Sequence, residues 1–196
     1  VAKMQADKNP DVAAKARAAI VTRLQEADAT DKQKKAALMA VGNAEDDTLF
    51  NDLRPHLDAV APELRFTAWD SLRGMSVDKL VAVFDELHAK AGRDRNKRML
   101  LYRVLAQKLS MSDNPHPPPS IAAAAKAELE KMTIGTGTSE MAVNLVRLLG
   151  PLAKSGNNAA VVALLKRVYQ EALKAGNQAV LEETIRFLGA SVMVKE

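Results

Sequence analysis

AALMAVGNA (36–44), FTAWDSLRGM (66–75), LLYRVLAQKL (100–109), NLVRLLGPL (144–152) and ETIRFLGAS (183–191) are five versions of one apolar run. Aligning Val41, Leu72, Leu105, Leu149 and Leu188 gives spacings of 31, 33, 44 and 39 residues. Self-similarity at such a period is the mark of a repeat architecture. The last two units agree best, with Val146-Arg147-Leu148-Leu149-Gly150 matching Ile185-Arg186-Phe187-Leu188-Gly189. Each run follows a more amphipathic stretch, so the unit is a pair of helices of roughly 40 residues, repeated about five times. One helix pair cannot bury both of its apolar faces; stacked neighbours share a continuous core. The expectation is an all-α chain, an elongated and curved α-solenoid of about five antiparallel helix pairs. Leu38, Val41, Leu72, Leu105, Leu149 and Leu188 should be buried at equivalent positions.

Helical periodicity extends outward from these runs, and strand signals are nearly absent. In 76–92, Val77, Leu80, Val81, Phe84, Leu87 and Ala91 recur at steps of 3 and 4, with Ser76 as N-cap and Gly92 as stop. Asp46 or Asp47 caps the next segment upstream, Pro55 limits it, and Pro62 suits a first helical position. Asn157 or Asn158, and Asn177, stand where N-caps are wanted. The predicted helices are 10–28, 31–42, 46–57, 62–74, 77–92, 95–111, 120–132, 139–154, 158–175 and 178–190. Two loops interrupt them: DNPHPPPS at 113–120, where four prolines exclude helix, and TIGTGT at 133–138, read as flexible. The Pro-rich loop 113–119 divides the chain into halves at 1–112 and 120–196, but helices of similar length throughout favour one continuous domain over 1–196.

At 36–74 the chain resembles the HEAT/armadillo type of α-solenoid. ALMAVGNAEDD reads like the end of one repeat passing through a turn into the next. Leu64-Arg65, then Ala68 and Leu72, looks like the start of a second HEAT helix. The resemblance implies a curved right-handed superhelix whose second helices line a concave groove. The Leu105 unit departs from it by lacking the glycine. A fainter likeness, carried by GNAEDDTLFNDLRPHLD, LRFTAWDSLR and LLYRVLAQ, is to the helical domain of vitellogenin-type lipid-transfer proteins.

Composition narrows function mainly by exclusion. With 47% hydrophobic and 27% charged residues, wholesale disorder is ruled out. The absence of cysteine removes disulfides, thiolate nucleophiles and zinc–thiolate sites. No apolar run approaches the roughly 20 residues of a membrane span, and VAKMQADKNP has no signal-peptide core; the compartment stays undetermined. A start at Val1 is expected of a processed product or a fragment, and the absence of recognisable solenoid end-caps suggests a piece of a larger chain or complex.

Chemistry-bearing motifs are missing. His56, His88 and His116 lack metal-ligand spacing, and His88 reads as a half-buried core residue. Gly135-Thr-Gly-Thr-Ser-Glu lacks the lysine of a phosphate loop. There is no Gly-x-Ser-x-Gly elbow. Glu182 and Glu183 are adjacent and read as a solvated face. Pro115–Pro119 holds a P-x-x-P spacing and reads as a rigid spacer. Trp69, four residues after Arg65, either carries that guanidinium on its ring or packs between repeats, and packing is favoured. No catalytic residue, cofactor or metal is expected.

The net charge is +4, too mild to demand an acidic partner. Its distribution is informative: residues 90–108 hold seven bases (Lys90, Arg93, Arg95, Lys97, Arg98, Arg103, Lys108) against Asp94 alone. On a helical wheel Arg95, Met99 and Arg103 occupy the arc left by the apolar residues. The candidate binding patch is therefore Arg93, Arg95, Lys97, Arg98, Arg103 and Lys108, with Arg95 and Arg103 exposed. The favoured function is a non-enzymatic scaffold binding a protein or peptide, acidic in character, along its groove. Nucleic-acid binding through phosphate contacts at 90–108 is the alternative, and a lipid-transfer-type helical domain is a third.

Overall fold

The computed structural model describes residues 10–135, 139–154 and 158–189. Among these, 82% are helical and none lies in a strand. The helices are α1 (Pro10–Gln25), α2 (Asp31–Ala44), α3 (Phe50–Leu53), α4 (Pro62–Ser71), α5 (Val77–Ala82), α6 (Phe84–Ala91), α7 (Arg95–Ser110), α8 (Pro119–Lys131), α9 (Ser139–Lys154), α10 (Ala159–Ala175) and α11 (Gln178–Leu188). Three 3-10 turns, Asp47–Leu49, Arg54–Asp58 and Leu72–Gly74, flank α3 and extend α4.

Most expected termini are where the capping chemistry puts them. Ser76 accepts from the Lys79 N–H, Asn158 from Val161 and Asn177 from Val180. Gly92 ends α6 with φ at 53°, a conformation glycine takes without steric cost. Two predicted helices are broken. The 46–57 segment is a 3-10/α/3-10 composite, because Pro55 has no N–H for a regular ladder. The 77–92 segment kinks at Val83 (φ −106°, ψ 7°). A capping box at Thr30-x-x-Gln33 starts α2; its sequence signature was present and the reading above passed over it.

Compactness divides the chain into two units, Val1–Val104 and Leu105–Glu196, with the division inside α7. In the first unit α1 packs on α2, and α2 packs on α4. The α2–α4 approach is close enough to need two glycines. A Cβ on Gly74 would sit 2.2 Å from the Val41 carbonyl oxygen, and one on Gly42 would lie 3.2 Å from the Ser71 Cα. At the same crossing the buried Ser71 hydroxyl reaches the Leu38 carbonyl (2.6 Å).

In the second unit α8 packs on α9, α10 packs on α11, and α9 contacts both α10 and α11. Gly150 of α9 lies under the Phe187 ring of α11, where a Cβ would meet ring carbons at 2.2–2.4 Å. Gly150 and Gly189, matched in sequence, thus do different work: Gly189 ends α11 with φ at 66°. Arg167 of α10 clamps the end of α8, donating to the Leu129 carbonyl (2.8 Å) while pairing with Glu171 (2.9 Å).

Five of the six equivalent apolar positions, Leu38, Val41, Leu72, Leu105 and Leu149, are buried. Leu188 is half-buried at the end of α11. The start of the TIGTGT loop is not loose as expected: Ile134 is buried, its N–H donates to Glu171 (3.2 Å), and the Gly135 carbonyl accepts from Asn177 (2.9 Å). Residues 136–138 of that loop lie outside the described residues. Glu183 is also corrected. It is buried rather than solvated, because Arg147 (3.1 Å) and Arg186 (3.0 Å) converge on its carboxylate.

Candidate functional site

A groove of about 500 Å³ lies in the first unit between α2, α4 and the start of α7. Trp69 and Leu100 form its buried part, while Phe66 (50% exposed) and Met39 (48% exposed) present apolar surface on it. Large apolar side chains on a helix normally face the core; two of them half open to the same concavity make an apolar strip. Helical spacing explains the placement. Pro62, Phe66 and Trp69 recur at steps of 4 and 3 along α4, and Lys35 and Met39 are i, i+4 on α2.

Trp69 is fully buried and its indole N–H donates to the Leu57 carbonyl (2.9 Å). It packs, as favoured, but the cation near its ring is not Arg65. Lys97 Nζ lies 5.8 Å from the ring centroid, whereas the Arg65 guanidinium turns to the Ala59 carbonyl (3.0 Å). The i, i+4 spacing within α4 had no access to α7, which supplies the lysine.

Charges ring the strip. Lys35 pairs with Glu63 (3.1 Å) at the open edge. Asp70 binds both Arg73 and Arg103, and Arg73 also reaches Asn43 (3.1 Å). Asp94 caps α7, its carboxylate accepting from the Asn96 (3.0 Å) and Lys97 (3.2 Å) N–H groups. Asp58 accepts from Lys90 (2.6 Å) and Lys97 (3.4 Å). The Lys90 hydrogen bond outweighs partial desolvation and holds the Asp58 carboxyl below the usual carboxylate range.

A depressed carboxylate stabilises the fold above its unfolded pKa and loses that contribution as pH falls through the folded value. Asp58→Asn is therefore expected to lower the thermal midpoint near neutral pH, with a gap to the parent chain that closes between about pH 5 and 2. The gap should be small and shrink with salt, because Asp58 is 54% exposed. Thermal melts across that pH range check it.

The predicted basic patch is only partly a surface. Arg93 and Arg95 are exposed. Arg103 is half-buried rather than exposed, drawn down by Asp70 of α4. Lys97 keeps 16% of its side-chain surface and faces Asp58 and the Trp69 ring. Arg98 folds back on the Gly92 carbonyl (2.5 Å), and Lys108 is half-buried farther along α7. Of the six, only Lys97 lines the groove. Phe66, Met39, Arg65 and Arg73 line it too; the sequence reading did not assign them. The exposed apolar character of Phe66 and Met39 is a tertiary property with no signature in spacing alone.

His88 is half-buried as expected, stacked on Phe84 (centroids 5.4 Å apart) and edge-on to Tyr102 (6.2 Å). Among the described residues no cluster of three or more His, Cys, Asp or Glu is placed to hold a metal ion. None of the described helices is long and apolar enough to cross a membrane. No protein-family model, curated protein or solved structure matches the chain.

Proposed function

We propose that this chain is a non-enzymatic helical-repeat scaffold of the α-solenoid type, which binds a segment of another protein in the groove of its first unit. The observation that carries the reading is the apolar strip of Phe66 and Met39, half open to a concavity of about 500 Å³. A cleft of that volume falls in the size range of preformed ligand sites. The solenoid reading draws support from the packing within each unit. The helices bearing the repeated apolar run touch each other, α2 with α4 and α9 with α11, as stacked second helices of neighbouring repeats would. The groove is built from three such helices, α2, α4 and α7, which is the position a solenoid gives its binding surface.

Selection of a displayed random-peptide library on the whole chain tests this. Recovered peptides should lose at least about tenfold in affinity for Phe66→Asp or Met39→Asp. The thermal midpoint of either variant should move little, because both side chains are already half exposed. Peptides indifferent to both substitutions would overturn the reading.

A further inference from the structure

We infer that the occupant of the groove is an acidic amphipathic segment, with large apolar anchors against Phe66 and Met39 and carboxylates directed to Arg65 and Lys97. This rests on the reading that the groove binds a protein segment, and adds the chemistry of that segment.

The argument is charge complementarity. Four cations, Lys35, Arg65, Arg73 and Lys97, line the groove against three carboxylates, Glu63, Asp70 and Asp94. Those carboxylates are not equivalent. Asp94 is engaged by two backbone N–H groups of α7, and Asp70 is engaged by two guanidinium groups. Glu63 is 81% exposed and meets Lys35 at the open edge, where such a pair contributes little and rearranges easily.

Lys35 and Arg73 are spent on Glu63 and Asp70, but the other two cations keep more of their field. Among the described residues Arg65 pairs with a backbone carbonyl and with no carboxylate. Lys97 shares Asp58 with the closer Lys90 and keeps 16% of its surface. A largely desolvated ammonium beside an aromatic face interacts more strongly with an incoming anion than one in bulk water. An apolar strip edged by Arg65, which pairs with a carbonyl, and by Lys97, which only shares Asp58, therefore selects glutamate- or aspartate-rich amphipathic segments and disfavours lysine-rich ones. A helix-in-groove mode supplies the matching i, i+3, i+4 arrangement of anchors and charges.

Three fluorescein-labelled peptides of about 15 residues test it, with identical Leu and Phe anchors and either Glu, Ser or Lys at the polar positions. Anisotropy gives affinity. The single indole N–H resonance, that of Trp69, reports occupancy of the groove. The Glu peptide should bind about tenfold or more tighter than the Ser peptide, and the Lys peptide weakest, with the differences narrowing in salt. The double variant Arg65→Gln, Lys97→Gln should remove most of the difference between the Glu and Ser peptides. Phe66→Asp should weaken all three.

A Lys peptide equal to or tighter than the Glu peptide, still sensitive to Phe66→Asp, would overturn this inference and leave the proposed function standing. Three peptides that neither bind nor shift the Trp69 resonance, with an empty display selection, would overturn both. Tight binding of a duplex oligonucleotide that displaces the Glu peptide and ignores Phe66→Asp would overturn it in favour of phosphate contacts at Arg93 and Arg95.

Discussion

Trp69→Ala is expected to destabilise the first unit by about 3–5 kcal/mol, the range for emptying a fully buried aromatic site. Two terms add. The ring is fully buried, so its removal leaves a cavity that α4 and α7 cannot both close. The indole N–H is the donor to the Leu57 carbonyl (2.9 Å), and a carbonyl left without its donor in a buried setting costs about 1–3 kcal/mol more when water cannot reach it. Trp69→Phe separates the terms, keeping most of the packing and losing the donor, and should fall between parent and alanine variant. Urea denaturation followed by far-UV circular dichroism measures both, since the alanine variant has no tryptophan to follow. A loss below about 1 kcal/mol for Trp69→Ala would mean that the groove does not rest on a packed ring. The same substitution should also abolish peptide binding in the groove.

The second large effect is expected at Gly74. An added Cβ would stand 2.2 Å from the Val41 carbonyl oxygen, a backbone atom with no rotamer to yield. Gly74→Ala must push α2 away from the end of α4, and overpacking of this kind costs about 1–3 kcal/mol, occasionally more. The loss is steric. It reaches function as well, because α2 carries Met39 and Lys35 and α4 carries Phe66, so separating the helices widens the groove. Gly42→Ala is the internal control. Its Cβ would meet the Arg73 side chain at 3.1 Å, which can swing aside, and the Ser71 Cα at 3.2 Å, a tight contact but far short of the overlap at Gly74, so the loss should be smaller. If Gly42→Ala proved the more damaging, the assigned α2–α4 crossing would be wrong.

How far the site could be read from sequence depends on how local each signal is. Helix ends were legible at Ser76, Pro62, Gly92, Asn158 and Asn177, because a cap is settled by a side chain and the backbone within about three residues of it. The buried leucines were legible because a helix repeats its apolar face at fixed steps. Glu183 was misread for the opposite reason: its partner Arg147 is on another helix, and without that cation a glutamate on a helix belongs in solvent. Ile134 was misread likewise, held by Glu171 from 37 positions away.

The basic segment 90–108 shows the same boundary. Spacing alone placed Arg95 and Arg103 on a free arc of α7, and it had no means of knowing that Asp70 of α4 would hold Arg103 or that Lys97 would turn to Asp58 and Trp69. Pairing across helices depends on which faces meet. That is decided by close approaches such as Gly74 on Val41 and by the hydrogen bond from Ser71 to Leu38.

From its own residues, then, the chain determined an all-helical build, most helix boundaries outside 46–57 and the break at Val83, and the buried register of its apolar runs, since each follows from periodicity and local capping. The tertiary structure alone decided which charges are spent on one another and which apolar side chains stay open. Those outcomes depend on the distance between segments some 30 residues apart, as with Lys35 and Glu63 at 3.1 Å, and the groove of Met39, Phe66 and Trp69 exists only once α2, α4 and α7 have closed around it.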